Sequence, residues 1–351
     1  MARYLCTGAG GAAKFKKKAL NDVELPRLEN LSEWLQQEFG QHAVAIALVS
    51  AADVHYKLHG LADVASLQPA NRGTLFEIGS VTKPLTALAV LDEVAAGRWR
   101  LDVQLAEQFK LPLLATQRYT LADLLSHRSG LPRLPENLPL HDLTNPYAGY
   151  GRAELIAALG NSAETQQFAY SNLGYGLLGW LLSESLAQSY AKLMQHKVFH
   201  RLNMRTARVP APAADLLPGL ATGYAINAEP VLHWQFDSLA GAGAVVASIE
   251  DMAAMLQTIF AKAETDAVLA AWLTPLPLTD LPAMTPGWML NEQEWLWHAG
   301  QTAGFSSLVV FSPKQQKGLV ILSNIARPVT EVGMVLFEQW LLSPDKQGAT
   351  L

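Results

Sequence analysis

A serine three residues before a lysine puts a hydroxyl and an amine on one face of a helix, where the amine can take the hydroxyl proton and create a nucleophile. The chain carries this spacing three times, at Ser80/Lys83, Ser189/Lys192 and Ser343/Lys346. Ser189 precedes YAKLMQHKVF, a helix start where an N-cap explains a serine without chemistry. Ser343 follows the last expected helix in a Pro-containing tail. Ser80 stands apart, because it follows Gly79 and opens SVTKPLTALAVLDEVAAG, a long apolar-faced helix with Gly97 as its expected C-cap. Pro84 falls near the first turn, where a missing N–H costs little. A helix start offers unpaired N–H groups and a positive dipole end to a carbonyl oxygen that gains negative charge. Apolar surroundings disfavour the ammonium form of Lys83 and leave it able to accept a proton.

Two further groups bear on the same chemistry. Tyr170-Ser171-Asn172 is the only Tyr-x-Asn in the chain and enters the glycine-punctuated helix 172–187 from a loop, so its phenol and amide can face one cleft. His298-Ala299-Gly300 ends an expected strand and precedes Gln301-Thr302-Ala303-Gly304. A glycine there lets a substrate lie close to the strand edge, and the next N–H can bind an oxyanion. Lys346-Gln347-Gly348 fits the same pattern, but in the tail.

Other motifs carry less. Gly8-x-Gly10-x-x-Ala13 has the outline of a dinucleotide fingerprint, yet it opens onto Lys14–Lys18 and no βαβ unit follows. His196 and His200 sit at i and i+4 without a third ligand or a neighbouring glutamate, so no metal site is expected. Trp288, Trp295 and Trp297 cluster before His298 and read mainly as core, with one of them open as a wall of an acyl pocket. His127 in LLSHRSGLP reads as structural. No Gly-x-Ser-x-Gly is present, so the α/β-hydrolase reading lacks its nucleophile elbow.

The elements that must position these groups follow from periodicity. Leu28, Leu31, Leu35 and Phe39 recur at helical spacing, and 42–50 with 53–60 read as a hairpin. Thr120–Asp123 and Ser248–Asp251 resemble capping boxes, each opening a helix, and 172–187 and 190–199 read as successive helices. Residues 208–219 read as a loop. Segments 294–300, 306–312 and 318–324 read as strands, and 329–342 as a closing helix. The expected class is α+β, with one antiparallel sheet built from both termini, flanked by helices, and an all-helical region inserted. The expected division is a leader at 1–25, one catalytic domain at 26–342 and a tail at 343–351. Within the domain, the α/β region covers about 26–80 and 287–342 and the helical region about 81–286.

Composition narrows the function classes. Half the residues are hydrophobic and 16% are charged, which supports a large core and excludes wholesale disorder. A formal charge of −5 gives no field for nucleic acid, and Lys14–Lys18 reads as a solvated run. Cys6 is the only cysteine, so no intrachain disulfide is possible. No apolar run approaches the roughly 18 residues of a membrane span, and the N-terminus lacks a signal-peptide core of about 7–15 apolar residues. The expectation is a cytoplasmic chain as given, or a periplasmic or secreted one if processed. No cofactor is expected, and the oligomeric state stays open.

The order Ser80-x-x-Lys83, Tyr170-x-Asn172, His298-x-Gly300 resembles the penicillin-recognising serine hydrolases, in particular the class C β-lactamase-like group with its esterases and D-alanyl-D-alanine carboxypeptidases. FEIGSVTKPLTALAV, LLSHRSGLP, YSNLGYGLLGWLL and HAGQTAGFSS are phrases similar to that group's, and the likeness spans roughly Leu31 to Leu342. It implies a β-lactamase/transpeptidase-like fold in which Ser80 attacks a carbonyl and Lys83 and Tyr170 shuttle its proton. It also implies that Asn172 holds substrate and Lys83, that His298 and Gly300 bind substrate, and that the Ser80 and Gln301 N–H groups form the oxyanion hole. His298 takes a position held by lysine in many β-lactamases, and a neutral imidazole attracts a substrate carboxylate less than an ammonium does. The expected activity is hydrolysis of a small ester or amide through an acyl-enzyme, of carboxylesterase type. The alternatives are a D-alanyl-D-alanine carboxypeptidase or D-aminopeptidase, a class C-like β-lactamase, and a penicillin-binding or scaffold homologue without turnover.

Overall fold

The computed structural model describes residues 26–111, 114–139, 145–159, 167–211, 217–277 and 283–342. The expected leader, with Cys6 and the glycine and lysine motifs, and the expected tail, with Ser343, Lys346 and Gly348, lie outside the described residues.

Six strands form the main sheet: β1 (Val44–Ser50), β2 (Val54–His59), β3 (Met289–Leu290), β4 (Leu296–Gln301), β5 (Ser306–Ser312) and β6 (Lys317–Ser323). Their spatial order is β2-β1-β6-β5-β4-β3, antiparallel throughout, with Val44 opposite Ser323 joining the two ends of the chain. The central strands β1, β5 and β6 are buried almost without alternation because both their faces are covered. Ala45, Ala47 and Val49 of β1 enter the large inner core, while Val44, Ile46 and Leu48 enter a smaller outer one. The outer face is closed by α1 (Leu31–Phe39) and α5 (Thr330–Leu342), through Leu31, Leu35, Phe39, Leu336 and Phe337.

On the inner face lie α2 (Thr82–Ala95), α3 (Asn172–Leu186) and α4 (Ile249–Lys262). Helix α2 is buried on nearly every side from Thr82 to Leu91, the burial of an apolar helix with no solvent face. Ser80 precedes this helix in a 3₁₀ turn, Gly79–Val81, because Gly79 has φ +49° and cannot extend the helix backward. Helix α4, within the stretch expected as the helical region, packs on β1 and β6. Both capping boxes form, at Thr120/Asp123 and Ser248/Asp251, and the Ser189 hydroxyl caps its helix by accepting the Lys192 N–H at 3.3 Å. Among the described residues no helix is long and apolar enough to cross a membrane.

Candidate active site

The site forms where the Gly79–Val81 turn meets the inner face of β4 and the start of α3. Lys83 is fully buried, with its amine 2.8 Å from Ser80 Oγ and donating to the Ala242 carbonyl at 2.7 Å. Ala242 belongs to the short helix Ala240–Gly243, which Thr86 holds by donating to the Gly241 carbonyl at 2.8 Å. Burial, and then the charge of Arg133, hold the Lys83 pKa well below that of a free lysine. Deprotonated, the amine can donate an N–H to Ala242 and offer a lone pair to the serine proton.

Tyr170 hydrogen-bonds the Ser80 side chain, and burial raises the phenol's pKa, so it stays protonated. Its place is set from below by His127, whose ring lies 4.4 Å away at an interplanar angle of 31°. His127 Nδ1 accepts the Ser171 N–H at 3.0 Å, which leaves the ring hydrogen on Nε2. The same loop accepts the Ala169 N–H at the His127 carbonyl and the Asn172 N–H at the Arg133 carbonyl, 2.8 and 2.9 Å. Ser171 caps α3 by accepting the Gly174 N–H, and its hydroxyl donates to the Pro132 carbonyl at 2.7 Å. The Tyr-Ser-Asn segment is thus clamped from one side by LLSHRSGLPR and from the other by its own helix.

His298 projects inward from β4. Its Nδ1 lies 2.8 Å from the Ala299 carbonyl and therefore carries the hydrogen, leaving a lone pair on Nε2. Burial and the neighbouring Lys83 push its pKa down to about 3, so the ring is neutral. Gly300 packs beneath the nucleophile turn, where any Cβ would overlap the Ile78 carbonyl oxygen, which also accepts the Ser307 hydroxyl at 2.8 Å. A Cβ on Gly79 would stand 2.8 Å from the Gln301 nitrogen, so the Ser80 turn and the Gln301 N–H lie side by side. Ser80, Lys83, Tyr170, His298, Gly300 and Gln301 are brought together. Asn172 borders them without bonding Lys83: its Nδ2 donates to the Tyr147 hydroxyl at 3.4 Å, and its buried Oδ1 has no partner among the described residues.

A sequence profile described as Beta-lactamase matches residues 31–337. The chain belongs to the β-lactamase family. That family is one of serine hydrolases of the penicillin-recognising group. A curated β-lactamase of Escherichia coli (strain K12) is 26% identical over 329 residues, covering 80% of this chain and 83% of the relative. "Protein flp" of Staphylococcus aureus (strain NCTC 8325 / PS 47) is 25% identical over 304 residues, covering 77% of this chain and 56% of the relative. The chain thus spans little more than half the length of that relative. Among solved structures, a class C β-lactamase from Rhodobacter sphaeroides superposes with a TM-score of 0.73 at 20% identity, covering 90% of this chain and 99% of that one. A β-lactamase/D-alanine carboxypeptidase from Pseudomonas syringae gives 0.74 at 20% identity, covering 90% and 98%. These two likenesses bear on the fold.

In this β-lactamase-family chain none of the three tryptophans near His298 lines the site. Trp297 alternates with His298 along β4 and, with Trp295, packs in the outer core. Trp288 is fully buried against Trp272 and Phe311 at 5.3 and 5.1 Å. Tyr147, Trp234 and Phe236 pack on one another next to Asn172, whose amide the Tyr147 hydroxyl accepts. Burial raises the Tyr147 pKa to about 12. They and Arg133 sit in loops without period, so only contact in three dimensions reveals them. His196 and His200 lie edge to face at 5.6 Å on the far helix, which turns from α to π geometry at Gln195.

Proposed function

We propose that the chain hydrolyses small carboxylic esters through an acyl-enzyme on Ser80, as a carboxylesterase-type member of its family. The observation that carries this reading is the fully buried Lys83 amine 2.8 Å from Ser80 Oγ, where burial disfavours its charged form. Lys83 Nζ takes the serine proton as Oγ attacks the substrate carbonyl carbon. The carbonyl oxygen gains charge beside the Ser80 and Gln301 N–H groups. The proton then passes by way of Tyr170 to the leaving oxygen as the ester bond breaks. Water then attacks the acyl carbon as it gives its proton to the same pair of groups, and that proton returns to Ser80 Oγ as the acyl–Oγ bond breaks and the acid leaves. Asn172 and Gly300 border the bound substrate.

Neutral His298 supports esters over β-lactams and D-peptides, because a substrate carboxylate finds no ammonium at that position. The test offers a chromogenic short-chain ester, a cephalosporin and a D-alanyl-D-alanine peptide side by side, with intact-mass detection of acylated Ser80. Ester turnover that Ser80→Ala abolishes is the expected result. Full activity in that variant sinks the mechanism, and cephalosporin turnover far above that of the ester overturns the substrate ranking.

A further inference from the structure

Beside the nucleophile stands a wall of three aromatic rings that the hydrolytic steps do not use. Tyr147 and Phe236 stack with centroids 4.7 Å apart and planes 17° apart, and Trp234 meets Tyr147 edge-on at 5.1 Å. At one end the Tyr147 hydroxyl accepts the Asn172 amide. At the other, Phe236 lies against Gly243, where an added Cβ would stand 3.0 Å from the ring and 3.9 Å from the Gly79 carbonyl carbon. Gly243 closes the short helix that receives the Lys83 amine at Ala242. The rings therefore run from Asn172 to the backbone of the nucleophile turn.

Loop residues have no ladder or helix to hold them, and here specific bonds take that role. Gln235 donates its N–H to Asn145 Oδ1 at 2.9 Å, tying the Trp234–Phe236 segment to the one that carries Tyr147. Buried Glu77 accepts the Trp234 N–H at 2.9 Å on the same oxygen that faces His233 Nδ1 at 3.2 Å. Glu77 ends the strand Leu75–Glu77, three residues before Ser80. One short segment thus sets both the nucleophile and the wall.

We propose that Tyr147, Trp234 and Phe236 form the wall of the acyl pocket, that Glu77 is its positioning residue, and that the wall selects esters with a flat aromatic acyl group. The inference rests on the acyl-enzyme reading of Ser80. The acyl group stays bonded to Ser80 Oγ after the alcohol departs, and the wall ends against the turn that carries that atom. Aromatic rings gain from edge-on and offset contacts with one another beyond the area they bury, a gain that an acetyl group cannot make.

The test varies the acyl group while the leaving group stays constant, with p-nitrophenyl phenylacetate and p-nitrophenyl acetate. The readout is the ratio of their kcat/KM values, which general damage to the fold does not move. Wild type should favour phenylacetate. Trp234→Ala, Phe236→Ala and Glu77→Ala should each cut the ratio by about threefold to tenfold, the factor an aromatic contact carries. Glu77→Gln keeps an acceptor for the Trp234 N–H and should keep the ratio. Glu77→Ala on top of Trp234→Ala should lower it no further. Acylation of Ser80 with a ratio unchanged in all three alanine variants overturns the wall alone. No acyl adduct from either ester overturns the hydrolase reading, and the wall with it.

Discussion

A lysine amine in water is protonated and cannot take a proton from serine. In this site burial, and then the charge of Arg133, disfavour the ammonium form. The expected pH profile follows from the sign of the shift: activity is present above the depressed Lys83 pKa and falls as pH drops through it. Lys83→Arg holds its proton at every accessible pH. It should leave Ser80 unacylated by an activated ester, with intact mass as the readout, and adduct at wild-type rate would remove Lys83 from the proton path. Tyr170 presents the complementary case, a phenol kept protonated by burial while bonded to Ser80. Tyr170→Phe should lower kcat by roughly 10²–10⁴-fold, the usual weight of one proton-transfer group. A loss below threefold would assign the leaving-group proton to another donor.

At the scale of elements, the sequence is most informative where a residue's neighbours in the chain are also its neighbours in space. Strand β5 has the bounds its apolar run predicts, and the Thr120 and Ser248 caps form as their spacing predicts. Ser80 departs by one turn, into a 3₁₀ segment, because Gly79 takes a left-handed φ to pass beneath Gln301. That approach is long-range, so no local pattern encodes it. The tryptophans near His298 are core, as mainly expected, and the open choice of one as a pocket wall is not realised, because density of aromatics along a strand says nothing about which face lines a cleft. Tyr147, Trp234 and Phe236 are invisible in sequence because the residues around each have no period from which to infer a facing direction. The Ile78/Gly300 approach yields a prediction at this scale. Gly300→Ala pushes a methyl into the Ile78 carbonyl and the Ser307 hydroxyl, so β4 must retreat from the nucleophile turn. Ester kcat/KM should fall at least about tenfold, since a misplacement of about 1 Å is enough for larger losses. Unchanged kinetics would mean that the close approach of β4 does not set the reacting geometry.

At the scale of the whole molecule, Ser80, Asn172 and His298 come from distant parts of the chain and meet only when the sheet built from both ends has closed. Closure buries three basic groups in one place, Lys83, His127 and His298, each with its pKa driven down by desolvation. The unfolded chain hydrates and protonates them freely, so assembly of the site carries a penalty in acid. For His298 the folded value is about 3 against an ordinary 6.5. Between these two values the unfolded state binds the extra proton, so its stabilising contribution is complete above the ordinary value and is lost as pH falls from 6.5 towards 3. The slope for one such proton is about 1.4 kcal/mol per pH unit. His127 acts in the same direction. Urea unfolding between pH 4 and pH 7 should therefore show wild type losing stability in acid more steeply than His298→Gln, which has no proton to gain at that position. The absolute stability of the variant is immaterial, because the difference in slope is what reports on the proton. Parallel slopes for the two proteins would show that His298 takes up its proton as readily in the folded state as in the unfolded one, and so is charged in mild acid. An imidazolium facing the cleft would then restore the charge that favours carboxylate-bearing β-lactams, and the preference for esters would lose its physical basis.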